Sequence, residues 1–219
     1  GMTNLDECEK NVEKAFKVNA LGARNLSIAA RKHDTKIIHF STDDVFAGDK
    51  KTPYNEFDLA QPTTIYGKTK LAGELFVKEF APRHIIIRSS WIYGEGDNFV
   101  KTVLNAAETK TPLKVAVDQI ASPTSAEELA KFVTSVMETS EYGTYHVTCK
   151  GQCSRYDFAK AILDFWGQAP ELIPVTADES ETSNRPKNAV LDNFMLRISG
   201  IYEMGDWKEA LNQYIKNYK

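Results

Sequence analysis

Tyr66-Gly67-Lys68-Thr69-Lys70, preceded in the chain by Ser41-Thr42-Asp43-Asp44-Val45-Phe46, is the stretch on which the interpretation of this sequence depends. A phenol and an ammonium four residues apart lie on the same face of a helix. The ammonium of Lys70 can lower the pKa of the Tyr66 phenol, which would suit the phenol to proton transfer near neutral pH. The Thr42 hydroxyl lies at the end of a strand-like run. If the phenol of Tyr66 hydrogen-bonds the carbonyl oxygen of a substrate, the Thr42 hydroxyl can give that oxygen a second hydrogen bond. The two stretches therefore predict a site for carbonyl chemistry.

The composition is that of an ordinary globular protein. The chain has 219 residues, of which 42% are hydrophobic and 26% charged, enough for one large domain or two small ones. Its formal net charge is −3 and its pI about 5.9, so there is no basic field and we expect no nucleic-acid partner. No apolar run approaches the roughly 20 residues that span a bilayer, so we expect no membrane association.

The cysteines and the first residues indicate a cytoplasmic protein. Cys8, Cys149 and Cys153 are odd in number and form no Cys-x-x-Cys pair, which favours a reducing compartment. Residues 3–7 are polar and acidic, unlike a signal peptide. The four histidines are scattered along the chain, so we expect no metal site.

Helix-like and strand-like stretches alternate along the chain. The predicted helices cover residues 10–32, 64–80, 99–107, 125–138, 154–166 and 206–218, and the predicted strands cover residues 36–40, 84–88, 113–117, 144–148 and 172–175. This alternation predicts an α/β fold with a mainly parallel sheet. The strands Lys36–Phe40 and His84–Arg88 should be adjacent and parallel, with Tyr66 and Lys70 on the helix between them.

Eight blocks of sequence carry a resemblance to a known family. They are Lys17-Val-Asn-Ala-Leu-Gly-Ala-Arg-Asn-Leu26, the Ser-Thr-Asp strand end, Tyr66-x-x-x-Lys70, Arg88-Ser-Ser-Trp-Ile-Tyr-Gly94, Asn98-Phe-Val-Lys-Thr102, Asp118-Gln-Ile-Ala-Ser-Pro-Thr124, Tyr142-Gly-Thr-Tyr-His146 and Arg185-Pro-Lys-Asn188. In these blocks the chain resembles the extended short-chain dehydrogenase/reductases and, among them, the dTDP-4-dehydrorhamnose reductases. A lone Tyr-x-x-x-Lys is a weak signal, but eight blocks in family order over essentially the whole chain are not expected by chance.

The resemblance implies a Rossmann-like, doubly wound parallel sheet, truncated at its N-terminus, with a small interleaved C-terminal substrate domain. Residues 1–143 would be the remainder of the dinucleotide-binding domain, including the Tyr/Lys helix, and residues 144–219 mainly the substrate-binding domain. Family members begin with a strand, a glycine-rich turn and a helix, and by comparison roughly the first 60 residues of that pattern are absent here.

This absence leads to two expectations. The glycine-rich turn supplies backbone N–H groups and a helix N-terminus for the cofactor pyrophosphate. We therefore expect the chain as given to bind NADPH or NADH poorly unless another segment or chain fills the gap. The strand Lys36–Phe40 would also present an open, apolar edge, so we expect a homodimer or another partner to cover it.

The resemblance gives four residues roles at the reacting centre. Tyr66 would be the general acid that protonates a sugar C4 ketone as hydride arrives from the nicotinamide. Lys70 would lower the pKa of Tyr66 and hydrogen-bond the nicotinamide ribose, and Thr42 would hold the carbonyl oxygen. Asn19 matches a helix asparagine that orders a water behind the lysine. The catalytic candidates are thus Thr42, Tyr66 and Lys70, and the cofactor-binding candidates are Asn19, Tyr66 and Lys70.

Three further residues match substrate-binding positions of the family. Trp91 and Asn98 would lie near the substrate sugar, together with Thr42, and Arg185 would contact the diphosphate of a nucleotide sugar, for which a guanidinium is well suited. Each also has a structural interpretation: packing for Trp91, a helix cap for Asn98 and a solvated loop charge for Arg185.

One residue departs from the family pattern inside the site. The family usually reads Ser-Thr-Asp-Tyr-Val-Phe, and here Asp44 replaces the tyrosine. A carboxylate at this position would repel a substrate phosphate if it lay close to it, or hydrogen-bond a sugar hydroxyl.

The resemblance therefore implies an NAD(P)H-dependent reductase of a dTDP-4-keto-6-deoxysugar, acting in nucleotide-sugar and cell-surface polysaccharide biosynthesis. Two alternatives stay open at this point. One is a non-catalytic nucleotide-sugar-binding or regulatory protein on the same fold, like the regulatory subunits of methionine adenosyltransferase. The other is an inactive fragment of a once-complete reductase. Retention of Thr42, Tyr66 and Lys70 favours the enzyme, whereas Asp44 and the missing phosphate loop favour the non-catalytic protein.

Overall fold

A three-stranded parallel sheet forms the centre of the fold. The computed structural model describes residues 1–167, 170–179 and 185–218. Strand β1 (Ile37–Thr42) pairs with β2 (His84–Ser89), and β2 pairs with β7 (Gly143–His146), so that the order in this sheet is β1-β2-β7. Helix α4 (Ile65–Phe80) connects β1 to β2. The predicted adjacent parallel strands, with the Tyr/Lys helix between them, are confirmed.

The N-terminal helical region is more broken than its sequence predicts. Instead of one helix over residues 10–32, the chain forms α1 (Leu5–Lys10), α2 (Val12–Ala15), a π-helix (Phe16–Leu21) and α3 (Gly22–Lys32). Asn11, with φ −129° and ψ 58°, separates α1 from α2. The wider π turn contains Asn19, whose buried side chain holds the backbone of Met2. Periodicity alone does not reveal either interruption.

The remaining predicted helices and strands are present with shifted ends, and several shorter elements that the sequence did not predict lie between them. They are the 3₁₀ turn Asp43–Val45, β3 (Ile92–Tyr93), α5 (Phe99–Thr109), β4 (Leu113–Ala116), β5 (Ile120–Ala121), β6 (Thr124–Ser125), α6 (Ala126–Val136), β8 (Cys153–Ser154), α7 (Arg155–Trp166), β9 (Leu172–Val175), the 3₁₀ turn Ala177–Glu179, α8 (Phe194–Ser199) and α9 (Trp207–Tyr218). The short strands form three separate pairs, β3 with β6, β4 with β9 and β5 with β8. Only the last pair is antiparallel.

Two hydrophobic clusters hold these elements around the sheet ends. One packs the β2 and β7 side chains against α6 and α8. The other joins α5, α7 and α9 and includes Tyr93, Phe158 and Trp207. The sequence predicts a domain boundary after residue 143. Strand β7 begins at this boundary and pairs with β2, so the boundary would pass through the central sheet. The division into two domains stays a prediction.

The described parts of the chain contain no helix that is both long and apolar enough to cross a membrane. Among these same residues there is no group of three or more histidine, cysteine or acidic side chains placed to hold a metal ion.

Candidate functional site

The candidate site lies where strands β1 and β2 end. Thr42 is the last residue of β1 and is paired with Ser89, the last residue of β2. Side chains at the carboxyl ends of neighbouring parallel strands share one edge of the sheet, where ligands of open α/β folds bind. A cavity of about 440 Å³ opens at this edge. Five of the residues singled out from the sequence line it: Thr42, Tyr66, Trp91, Asn98 and Arg185.

Thr42 is held at the mouth of β1 by its neighbours. Its hydroxyl donates to Asp43 Oδ1 at 3.0 Å and accepts from the backbone N–H of Asp44 at 3.2 Å. Ser90 donates to the other carboxylate oxygen of Asp43 at 2.6 Å. Burial raises the pKa of Asp43, and the hydrogen bonds from Ser90 and Thr42 oppose that rise. The Asp43 carboxylate therefore orients the Thr42 hydroxyl at the cavity wall.

Tyr66 projects from the first turn of α4 into the same cavity. Thr64 caps this helix by accepting the N–H of Gly67 at 3.0 Å. Burial and the nearby charge of Asp44 raise the pKa of Tyr66, against a smaller lowering by its hydrogen bond with Thr42. The structure thus differs from the expected lowering by Lys70, because burial of the phenol has the larger effect. A raised pKa keeps the proton on the phenol at neutral pH.

Lys70 lies one turn after Tyr66 on α4, as the spacing predicts, but it does not line the cavity. Its ammonium donates to the backbone carbonyl of Phe40 in β1 at 2.6 Å. Burial lowers the pKa of Lys70, and the charge of Glu74 opposes this effect. An ammonium has three N–H donors, of which this contact uses one.

The two asparagines have structural partners. Asn19 donates to the carbonyl of Met2 at 2.9 Å and to the Thr69 hydroxyl at 3.0 Å, beside Lys70 on α4. Asn98 caps α5 by accepting the N–H of Lys101 at 3.2 Å, and its amide donates to the Gly94 carbonyl at 2.8 Å. The helix-cap interpretation of Asn98 is therefore correct, and Asn98 also borders the cavity.

The residue that departs from the family pattern, Asp44, faces Arg185. Asp44 is almost fully buried, and its Oδ2 accepts from the Arg185 guanidinium at 3.3 Å across 141 positions of sequence. Burial, followed by repulsion from Asp43, raises the pKa of Asp44 to about 7, although Arg185 lowers it. Asp44 thus ties the Arg185 segment to the end of β1.

Arg155 is a residue of this cavity that sequence reasoning missed. It opens α7, is only 7% exposed, and lies over the rings of Trp91 and Phe99 at 3.7 and 4.6 Å from their centres. Trp91 has a φ of 42°, a left-handed conformation that costs a bulky residue about 1–3 kcal/mol. Cation–π contacts out of water are worth about 2 kcal/mol. The sequence marks the segment from Ser154 only as a helix cap, and no local signal indicates these long-range contacts.

A buried ion pair between α4 and β2 supports the site. Glu74, two turns after Tyr66 on α4, accepts two hydrogen bonds from Arg88 of β2, at 2.9 and 2.7 Å. Neither side chain is more than 4% exposed. The pair fixes α4 against β2 and so helps to place Tyr66 over the strand ends.

A second and larger cavity, of about 580 Å³, lies between residues 148–152, residues 190–193 and α8. None of the candidate site residues lines it. We assign the site to the smaller cavity because the Thr42 and Tyr66 hydroxyls converge there.

Comparison with known proteins places the chain in a family. The family model described as the RmlD substrate binding domain matches residues 1–219. The spore coat polysaccharide biosynthesis protein SpsK of Bacillus subtilis is 39% identical over 216 residues, which are 98% of this chain and 76% of that protein.

Two solved structures have nearly the same backbone. A dTDP-4-dehydrorhamnose reductase from Clostridium acetobutylicum is 43% identical with a TM-score of 0.96, over 100% of this chain and 78% of its own. The dTDP-4-dehydrorhamnose reductase of Bacillus anthracis, solved in complex with NADP, is 38% identical with a TM-score of 0.95, over 99% and 78% of the two chains. By its sequence and its fold, this chain belongs to the family of the RmlD substrate binding domain.

Proposed function

We propose that this chain carries the ketone-reducing site of an NAD(P)H-dependent reductase that converts dTDP-4-dehydrorhamnose to dTDP-rhamnose. The observation that supports the proposal most is the convergence of the Thr42 and Tyr66 hydroxyls on one cavity at the ends of β1 and β2. A single carbonyl oxygen can be reached by both groups there. The relatives named dTDP-4-dehydrorhamnose reductase support the same reaction.

Reduction of a ketone needs a proton donor at the oxygen. The raised pKa of Tyr66 keeps its phenol protonated, so that it can give this proton as the alkoxide forms. Thr42 can turn its hydroxyl from Asp43 to the substrate oxygen and hold it beside the phenol. When NADPH or NADH is bound, its nicotinamide supplies the hydride.

The donors near Tyr66 fit such a cofactor. Lys70 and Tyr66 lie one turn apart on α4 and offer an ammonium and a hydroxyl to a ribose, while Asn19 fixes the α4 backbone through Thr69. The NADP complex of the Bacillus anthracis relative supports the use of a nicotinamide cofactor.

The cavity also fits the rest of the substrate. Trp91 and Asn98 border the space next to the two hydroxyls, where a sugar ring would lie, and Arg185 offers a cation to the diphosphate. The product would be used in polysaccharide biosynthesis, as the name of the Bacillus subtilis relative suggests for that protein.

Turnover of a defined substrate tests the proposal. A chain of the relatives' full length is mixed with NADPH and dTDP-4-dehydrorhamnose, and loss of NADPH absorbance is followed. We expect oxidation of NADPH with this substrate and none with dTDP-glucose, which has no C4 ketone. Saturable binding of the dTDP-sugar without NADPH oxidation would contradict the proposal and favour a non-catalytic binding protein.

We also infer a cytoplasmic location for the protein.

We further infer that a partner covers the β1 edge of the sheet. Within the described residues β1 pairs only with β2, and the side chain of Phe40 is half exposed at this edge. A second copy of the chain or a further strand would cover it. Light scattering of the purified protein tests the homodimer.

A further inference from the structure

The guanidinium of Arg155 is held in place before any ligand binds. It lies over the rings of both Trp91 and Phe99, and α7 begins at Arg155 itself, so that the backbone there is fixed. Ser154 caps α7 by accepting the N–H of Asp157 at 3.0 Å. A side chain fixed in this way loses little freedom when it binds a ligand.

The donors of Arg155 are not used up by the protein. Its Nε atom is buried and has no hydrogen-bond partner among the residues that the structure describes. Within the same residues no carboxylate forms an ion pair with it, whereas Arg185, the other arginine of the cavity, is paired with Asp44. A buried guanidinium without an anion is costly, which indicates that a ligand normally supplies the partner.

The charges of the cavity favour an anion between the two arginines. Burial, followed by repulsion from Arg185, lowers the pKa of Arg155 to about 9, so the group is still a cation at neutral pH. The charges of Asp43 and Asp44 act on Arg155 in the opposite direction, and each of them alone has a smaller effect than Arg185. Two like charges that line one cavity are both stabilised when a ligand with two negative charges enters.

We propose that Arg155 is a diphosphate-binding residue that acts together with Arg185 on the nucleotide-sugar substrate. The inference rests on the proposed function, which supplies a substrate with a diphosphate next to a sugar. A guanidinium offers a planar fork of donors that matches phosphate oxygens, which an ammonium does not. The indole of Trp91 would hold this fork while it borders the sugar space.

Calorimetric titration with dTDP and with thymidine tests the assignment. We expect Arg155→Met to weaken dTDP binding by roughly 10–100-fold, the size of a charge-assisted hydrogen bond, and to leave thymidine binding unchanged. Arg155→Lys keeps the charge but loses the planar fork of donors. Its affinity for dTDP should lie between those of the unchanged protein and Arg155→Met. Arg197→Met is the matched control, since Arg197 lies on α8 outside this cavity and forms an exposed ion pair with Asp192.

The outcomes separate this inference from the proposed function. If the unchanged chain binds no dTDP, the nucleotide-sugar function fails. If it binds dTDP and Arg155→Met binds dTDP equally well, the function stands and the assignment of Arg155 is wrong. If Arg155→Met loses thymidine and dTDP affinity in equal proportion, Arg155 only shapes the cavity, and the assignment is again wrong.

Discussion

The α-carbon of Gly67 lies so close to the backbone of Asp44 that a Cβ at position 67 would sit 2.1 Å from the Asp44 carbonyl oxygen. This contact brings the first turn of α4 against the 3₁₀ turn that follows β1. Tyr66 is next to Gly67, and Thr42 lies two residues before Asp44. The glycine therefore sets how closely the phenol and the hydroxyl approach each other.

Gly67→Ala should destabilise the protein and displace Tyr66. A methyl group cannot fit against a backbone oxygen at this distance, so α4 must shift, at a cost of about 1–3 kcal/mol or more. Chemical unfolding in urea measures the loss.

Gly22→Ala is the control for this change. Gly22 is also helical, with φ −57°, but an added Cβ there would meet nothing closer than 3.8 Å. We expect that variant to be as stable as the unchanged protein, or more stable by about 0.5–1 kcal/mol, because alanine favours a helix. Equal stability of the two variants would show that α4 adapts without strain.

Glu74→Gln should be strongly destabilising at neutral pH. It leaves the buried Arg88 guanidinium facing a neutral amide, and breaking a buried ion pair costs about 3–5 kcal/mol. Glu13→Gln, which removes an exposed partner of Lys17, should change the free energy of unfolding by less than about 0.5 kcal/mol.

The same pair predicts a loss of stability in acid. Burial alone would raise the pKa of Glu74, but the hydrogen bonds and charge of Arg88, together with smaller effects of Ser41 and Lys78, lower it below its ordinary value of 4.5. The contribution of the pair is therefore present at neutral pH and lost as the pH falls through this lowered value. Unfolding measured down to about pH 3 should show this loss, and Glu74→Gln should lack it. A parallel pH profile in the variant would refute this account.

The fold was predictable because its signals are local. The runs Lys36–Phe40 and His84–Arg88 are apolar and short, and the helix with Tyr66 and Lys70 lies between them, so that a parallel β-α-β unit follows directly. The convergence of Thr42 and Tyr66 follows from the same topology, since both lie at the carboxyl end of the sheet.

The rest of the site depends on contacts that sequence spacing does not encode. Asp44 and Arg185 are far apart in the chain, and Arg155 reaches Trp91 and Phe99 only after α5 and α7 have packed together. The pKa of Tyr66 was predicted in the wrong direction because spacing reports the neighbour Lys70 but not the depth of burial.

The stability of Asp44→Asn, compared with that of the unchanged protein at the same pH, should increase as the pH rises. The pKa of Asp44 is about 7 in the folded protein and has an ordinary value of 3.8, so the folded state binds the proton more tightly. The contribution of the protonated Asp44 carboxyl to the free energy of unfolding is fully present below pH 3.8 and is lost as the pH rises to about 7. Between about pH 5 and pH 8 the free energy of unfolding of the variant, relative to that of the unchanged protein, should rise by roughly 2.5–3 kcal/mol. Urea unfolding at both pH values measures this difference, and a constant difference would mean that Asp44 is ionised throughout.

Tyr66→Phe should remove most of the reductase activity and leave the cofactor affinity nearly unchanged. General acid catalysis typically contributes about 10²–10⁴-fold, and the phenol hydroxyl is only one of many groups that would contact the cofactor. The variant is assayed for kcat and for NADPH binding in a chain of the relatives' full length.

Tyr145→Phe is the matched control for this last change. It removes a hydroxyl from a ring that is also buried but does not line the cavity. This hydroxyl donates to Glu141 and to the Tyr142 carbonyl. We expect near-normal turnover from this variant. If both variants kept near-normal turnover, Tyr66 could not be the proton donor, and the proton would have to come from another group at the cavity. If both variants lost turnover in equal measure, the effect of Tyr66→Phe would reflect packing, because the Tyr145 hydroxyl does not face the ketone and its removal takes away no proton donor.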